Sequence, residues 1–139
     1  MQSGDATCRG RYGSIRRGAT MADVVIHESA GRGRGVFAGR GFTPGQTIEV
    51  CPVIALSEAD ARTLDGTGLF DYYFGWGDEG KAAAIALGYG SLYNHSEEPN
   101  AMHRKCVASG TLLIIATKPI AAGEEICISY QPGPWFEVK

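Results

Sequence analysis

No run of this 139-residue chain is long and apolar enough to span a membrane. Its unbroken apolar stretches, such as Leu112 to Ala116, fall far short of the ~20 residues required. The N-terminus also lacks the apolar core of a secretory signal. Cysteine is scarce and poorly spaced. Cys8, Cys51, Cys106 and Cys127 stand 43, 55 and 21 positions apart, so no C-x-x-C pair exists for zinc or dithiol redox chemistry. Four such cysteines read as structural thiols of an intracellular, reducing compartment. The order G-x-G-x-x-G that opens a dinucleotide-binding helix is missing, as is the Gly-x-Ser-x-Gly nucleophile elbow. A basic face for nucleic acid is missing too. Residues 21–139 carry nine basic and fourteen acidic side chains, which suits a cationic partner rather than direct nucleic-acid binding.

Glycine is what the chain has in excess: 20 of 139 residues, roughly twice the usual share of about 7%. Each Gly inside a helix costs about 1 kcal/mol relative to Ala, which excludes a helical bundle and calls for many tight turns. The length suits one domain, and the hydrophobic share of 44% is globular. Residues 1–20 differ from the rest. Four arginines face only Asp5, and Tyr12 and Ile15 are the only large apolar side chains. This segment reads as a disordered basic tail, with Met21 as an alternative start. An Arg-rich, acid-poor leader also matches an organelle transit peptide.

Residues 21–139 read as a mostly β domain with small helices. Strands are expected at Val24 to His27, Val36 to Ala38, Thr47 to Val50 and Val53 to Leu56, the last two parted by Pro52. Ser57 with the acidic residues after it marks a helix start, ended by Gly66 and Gly68. Leu69 to Trp76, with five aromatics in eight residues, predicts a strand. Lys81 to Leu87 is ambiguous between helix and strand. Met102 to Val107, Thr111 to Ala116 and Ile126 to Tyr130 complete the series. In the last, Ile126, Ile128 and Tyr130 share one face.

Three segments can carry chemistry, and each has a plain alternative. Gly31-Arg32-Gly33-Arg34-Gly35-Val36-Phe37-Ala38 is an ordinary glycine-rich turn, or a place where backbone approaches a ligand closely. Gly90 to Ala101 contains Asn94-His95-Ser96, a satisfied loop pair on the plain reading. His95 has no second ligand at metal spacing, so no metal site is expected. Gly123-Glu124-Glu125-Ile126 leads to Tyr130 and reads as a turn entering a strand.

Taken in order, the three segments resemble the SET-domain protein lysine methyltransferases. The resemblance runs from near Val24 to near Trp135. It implies a fold of small curved sheets, the β-clip, with a knot-like crossing of the C-terminal segment, and it makes Lys81 to Leu87 a strand. It implies transfer of a methyl group from S-adenosyl-L-methionine to a protein lysine, in a histone tail or another basic protein. By the same resemblance Tyr130 is the catalytic tyrosine. Gly33, Arg34, Gly35, Asn94 and His95 hold the cofactor, Asn94 also through its side-chain amide. Tyr72 lines both cofactor and lysine, while Tyr73 is expected in the core. Ile128, where many members carry Phe or Tyr, leaves room for more than one methyl group. The family's cysteine-rich zinc tail is replaced by Gln131 to Lys139. The chain is therefore most similar to the small stand-alone, viral-type members, with Trp135 closing the channel and a homodimer completing the site. A nuclear or cytoplasmic protein is expected. Two other readings stand beside this one: a catalytically silent SET-like module that binds a basic peptide, and a β-rich structural protein.

Overall fold

The structure is a computed structural model that describes residues 23–130. The tail 1–20 and Trp135 lie outside the described residues.

The strands are short, and glycine turns set their ends. β1 (Val24–Ser29) and β2 (Gly33–Ala38) form an antiparallel hairpin pairing Val24 with Ala38 and Ser29 with Gly33. β3 (Thr47–Leu56) is one ten-residue strand rather than two. Pro52, which has no N–H for a ladder, marks the place where β3 changes partner. Residues 47–52 pair with β8 (Thr111–Ala116), and residues 53–56 pair with β5 (Ala82–Ala86). α1 (Glu58–Leu64) starts at Ser57 with a full capping box, the hydroxyl accepting from Asp60 N–H at 3.0 Å.

β4 (Tyr73–Trp76) covers only the second half of the predicted aromatic strand. Leu69 to Tyr72 is a turn instead. There the backbone N–H groups of Leu69, Phe70 and Tyr72 bond within the loop, so local turn geometry outweighs aromatic propensity. β5 confirms the strand at Lys81 to Leu87, because Ala82–Ala86 is sandwiched between β3 and β4. A 3-10 turn (Gly90–Leu92) leads to the two-residue β6 (Asn94–His95). β7 (Ala101–Cys106) and β9 (Glu125–Ile128) complete the set.

Two sheets result. β4, β5, β3, β8 and β7 form a five-stranded sheet in that order, and its two edges come together where the Phe74 and His103 rings meet at 5.1 Å. The other sheet runs β1, β2, β9, β6. β9 is antiparallel to β2 and parallel to β6, so the C-terminal strand crosses the chain at Asn94–His95. This crossing draws the three separate sequence segments together. Ile126 and Ile128 pack together in the core as the alternation of the last strand expects, and Cys127 outside that cluster is buried as well, so both faces of β9 are covered. Both sheets share one core, with Val36, Ile126 and Ile128 from one and Leu112, Ile114 and Trp76 from the other. Each such side chain contributes about 1.5–3 kcal/mol when fully buried. Cys51 and Cys127 are free, buried thiols.

Candidate active site

The hairpin, the 89–95 segment and the end of β9 surround a polar cavity of about 330 Å³. It is lined by Arg32, Gly33, Arg34, Tyr72, Asn94 and Tyr130 among others, with Glu28 at its edge. A second cavity of about 450 Å³ lies beside it, walled by Phe70, Tyr72, Phe74, Tyr93 and Tyr130 and carrying Asp71, Glu79 and Lys105. The two share Tyr72, Ser91 and Tyr130. A ligand in one cavity therefore meets a ligand in the other beside these three residues.

Tyr130 is held from three directions. Its N–H donates to His95 Nδ1 at 3.0 Å, its ring lies 5.3 Å from the His95 ring, and its hydroxyl donates to the Tyr93 carbonyl. Burial, followed by the neighbouring Tyr72, pushes its phenol pKa up. The group is thus a neutral donor at physiological pH, not a base.

A polar network centred on Glu125, which itself lines neither cavity, supports the polar one through Arg32 and Asn94. Its carboxylate accepts from Ser29 Oγ at 2.8 Å, Arg32 Nη2 at 2.7 Å and Asn94 Nδ2 at 2.8 Å. Arg32 also donates to the His95 carbonyl at 2.9 Å, and Asn94 to the Arg34 carbonyl at 3.0 Å. Asn100 pins the same strand, giving Nδ2 to the Glu125 carbonyl and accepting Cys127 N–H, both at 2.9 Å. Gly35 is compulsory for this packing. A Cβ there would stand 2.3 Å from Glu125 Oε2 and 2.9 Å from Asn94 Nδ2. Gly33 serves differently, facing open space at φ +75°, a conformation that disfavours any side chain.

Of the residues singled out from sequence, Gly33, Arg34, Tyr72, Asn94 and Tyr130 come together on the polar cavity. Gly35 and His95 stand behind it, one under Glu125 and Asn94, the other against Tyr130. Ile128 is fully buried and lines neither cavity. Tyr73 is half-buried rather than core: its hydroxyl reaches Asp65, and Trp76 takes the core position of β4. Sequence reasoning missed Glu125 as an organiser, together with Ser29, Arg32 and Ser91. Its one usable signal was a second acid after Gly123 that a plain turn does not need.

Residues 33–131 match the family model described as SET domain. The chain belongs to the SET-domain family. It is 34% identical over 115 residues to a Schizosaccharomyces pombe protein named histone-lysine N-methyltransferase, H3 lysine-37 specific. That match covers 82% of this chain and 77% of the relative. A crystal structure of a Plasmodium falciparum protein, described as a candidate histone methyltransferase, superposes with a TM-score of 0.63 at 30% identity. It covers 81% of this chain and 96% of that one. The Cryptosporidium protein CpSET8 shares the fold, with a TM-score of 0.65 at 21% identity over 79% of this chain and 58% of that one. This SET-domain protein is a lysine methyltransferase, and S-adenosyl-L-methionine is the methyl donor of its family.

The polar cavity suits that donor. Its volume falls within the roughly 300–1,000 Å³ of small-molecule sites. Its Arg34 and Glu28 offer both signs of charge to a zwitterionic amino-acid end, while Arg32 is committed to Glu125 and the His95 carbonyl. Among the described residues no helix is long and apolar enough to cross a membrane, and no three metal-ligating side chains cluster.

Proposed function

We propose that Tyr130 is the catalytic residue of this lysine methyltransferase, that the polar cavity takes the cofactor, and that the aromatic cavity takes the substrate lysine. The meeting of the two cavities at Tyr72, Ser91 and Tyr130 carries this reading. Gly33 and Arg34 hold the cofactor along the hairpin edge. Asn94 spends both amide hydrogens on Arg34 and Glu125, which leaves its carbonyl oxygen for the ligand. Gly35 and His95 act from behind, one by admitting Glu125 and the other by bracing Tyr130. S-adenosyl-L-methionine supplies a methyl group bound to a positively charged sulfur.

The lysine amine must be neutral to attack. With a reference pKa near 10.4, losing its proton at pH 7 opposes reaction by about 4–5 kcal/mol. The aromatic cavity opposes charge in just this way. Burial pushes His103 down to about 4 and lowers Lys105, and both line it. Held by Gly33, Arg34 and Asn94, the donor would supply its methyl to the neutral amine and keep the released electron pair on its sulfur, and the amine's excess proton would leave to solvent. Tyr130, kept neutral, and the Tyr93 carbonyl fix the angle of approach.

The substrate is a basic protein segment. The relative's name points to a histone H3 tail, and Asp71 and Glu79 at the aromatic cavity suit a cationic peptide. A histone substrate makes the working compartment the nucleus. The resemblance at Ile128, where many members carry an aromatic, favours products with two or more methyl groups. Since Ile128 lines neither cavity it would act only through the packing behind them, and mass spectra showing one methyl at full conversion would overturn this. The homodimer and a closing role for Trp135 belong to the same reading, supported by the sequence resemblance and checked by light scattering and by Trp135→Ala.

The deciding experiment compares wild type and Tyr130→Phe with labelled S-adenosyl-L-methionine on histone H3 and on other basic proteins. Labelling should fall at least 100-fold in the variant, with cofactor affinity held within about threefold. Equal labelling by both removes Tyr130 from the mechanism. Wild type that binds the cofactor and labels nothing restores the silent-module reading, and labelling of other basic proteins in preference to H3 displaces the histone.

A further inference from the structure

Glu49 is an anomaly in β3. Its neighbours Ile48 and Cys51 belong to the core, yet Glu49 is itself only 7% exposed. The register of β3 against β8 shifts between Thr47 and Glu49. That irregularity turns Ile48 and Glu49 inward in succession, where an unbroken strand would send one of them outward. A buried carboxylate is costly unless donors satisfy it. Here both oxygens are bound, Oε2 by the Tyr89 N–H at 2.9 Å and Oε1 by the Tyr93 hydroxyl at 2.6 Å. Burial still pushes the Glu49 pKa up, so the donors do not fully offset desolvation.

The two donors bracket one short segment. Between them the 3-10 turn at Gly90–Leu92 carries Ser91 to both cavities. At its end the Tyr93 carbonyl accepts the Tyr130 hydroxyl, and Asn94 follows immediately. Tyr93 is 1% exposed, so its ring has no freedom beyond what Glu49 and the core permit. Glu49 lines neither cavity.

We propose that Glu49 is a positioning residue for methyl transfer: by anchoring Tyr93 it fixes the carbonyl that aims the Tyr130 hydroxyl. The proposal rests on the reading of Tyr130 as catalytic. A carboxylate delivered by a strand irregularity to the back of a reaction centre, with each oxygen on a different end of the same segment, is a bracket and not a packing element.

The test uses the full chain with Tyr93→Phe, Glu49→Gln and the double variant. It follows kcat, the Kd for S-adenosyl-L-methionine by calorimetry, and the melting temperature. Tyr93→Phe deletes one oxygen and keeps the packed ring. Its kcat should fall about tenfold, with cofactor Kd within twofold. The double variant should be no worse than the poorer single one, because both cuts sever one link. Lower melting temperatures with unchanged kcat well below the transition would overturn the proposal, as would additive losses. If Glu49→Gln does not fold, Tyr93→Phe decides alone by the same kcat criterion. A Tyr130→Phe control run alongside separates the two readings. Inactive Tyr130→Phe beside fully active Tyr93→Phe sinks the role of Glu49 only, whereas active Tyr130→Phe sinks the catalytic reading and the route through it.

Discussion

Glu125 and Glu49 are both carboxylates that brace segments around the two cavities, one in each sheet, and they are satisfied in opposite ways. Glu125 keeps 14% of its side chain exposed and meets a cation, with Arg32 Nη2 at 2.7 Å beside the neutral donors Ser29 and Asn94. Glu49 is buried among neutral donors, and its pKa rises. The surroundings follow suit. The Glu125 side carries Arg32, Arg34 and Glu28 around a polar cavity, while on the Glu49 side burial shifts Tyr93 and Cys51 upward and His103 downward, all toward their neutral forms. The contrast matches the two reactants proposed for the two cavities. A zwitterion needs compensated charge, and a lysine amine about to attack needs a wall that opposes charge. One fold supplies both because β9 brings the hairpin sheet against the end of the 89–95 segment.

Breaking the charged side should have the largest effect. In Gly35→Ala the new Cβ would lie 2.3 Å from Glu125 Oε2, so the carboxylate must swing away and release Asn94. Overpacking of about 1–3 kcal/mol adds to a lost charged hydrogen bond of about 1.5–3 kcal/mol. The expected fall in kcat/KM is roughly 100- to 1,000-fold, with most of it in cofactor binding. A variant with wild-type cofactor affinity by calorimetry would remove Glu125 from the support of the polar cavity.

The dry side is sharpened by acid. His103, 6% exposed, has its pKa pushed by burial and then by Lys105 down to about 4, against 6.5 unfolded. The unfolded chain takes up this proton first as pH falls below 6.5. Stability is therefore lost between pH 6.5 and about 4, by about 3 kcal/mol in all. Glu49 gives the opposite slope. Its folded pKa lies above the unfolded one, so its contribution grows as pH falls toward 4.5 and is lost as pH rises through the raised value. Denaturant titrations at pH 7 and pH 4 should show His103→Gln losing about 3 kcal/mol less than wild type. Parallel curves for the two proteins would mean that burial does not hold the His103 pKa below its unfolded value.

How far all this could be read from sequence depends on whether the cause is local. The capping box at Ser57, the strand Thr111–Ala116 and the hairpin turn are local, and residue types alone specify them. The convergence of Gly33, Asn94 and Tyr130 was legible only as a resemblance, because it arises from β9 crossing two distant segments. Glu49 could have been suspected as a charge inside the apolar run Thr47 to Val53. Its partner Tyr93 lies 44 residues away, and the register shift that turns Glu49 inward has no sequence mark. Leu69 to Tyr72 misled for the converse reason. Their aromatic character suits a strand, but they are exposed turn residues, of which Phe70, Asp71 and Tyr72 line the aromatic cavity.

The smallest expected effect tests whether the charged side owes its strength to the ion pair or to the neutral donors. Among the described residues, Arg32→Ala removes the cation paired with Glu125 and the donor to the His95 carbonyl. Its side chain is 41% exposed, so solvent and salt screen the pair, and such pairs are worth about 1 kcal/mol or less. Ser29 and Asn94 remain on the carboxylate, which still has donor partners and no reason to leave its place. Cofactor Kd should therefore rise only about threefold at low salt, with kcat nearly unchanged, and the difference from wild type should fade as salt approaches 1 M. A loss as large as that of Gly35→Ala, insensitive to salt, would mean that Arg32 touches the cofactor itself. The polar cavity would then depend on one long cation more than on the Glu125 network that supports it.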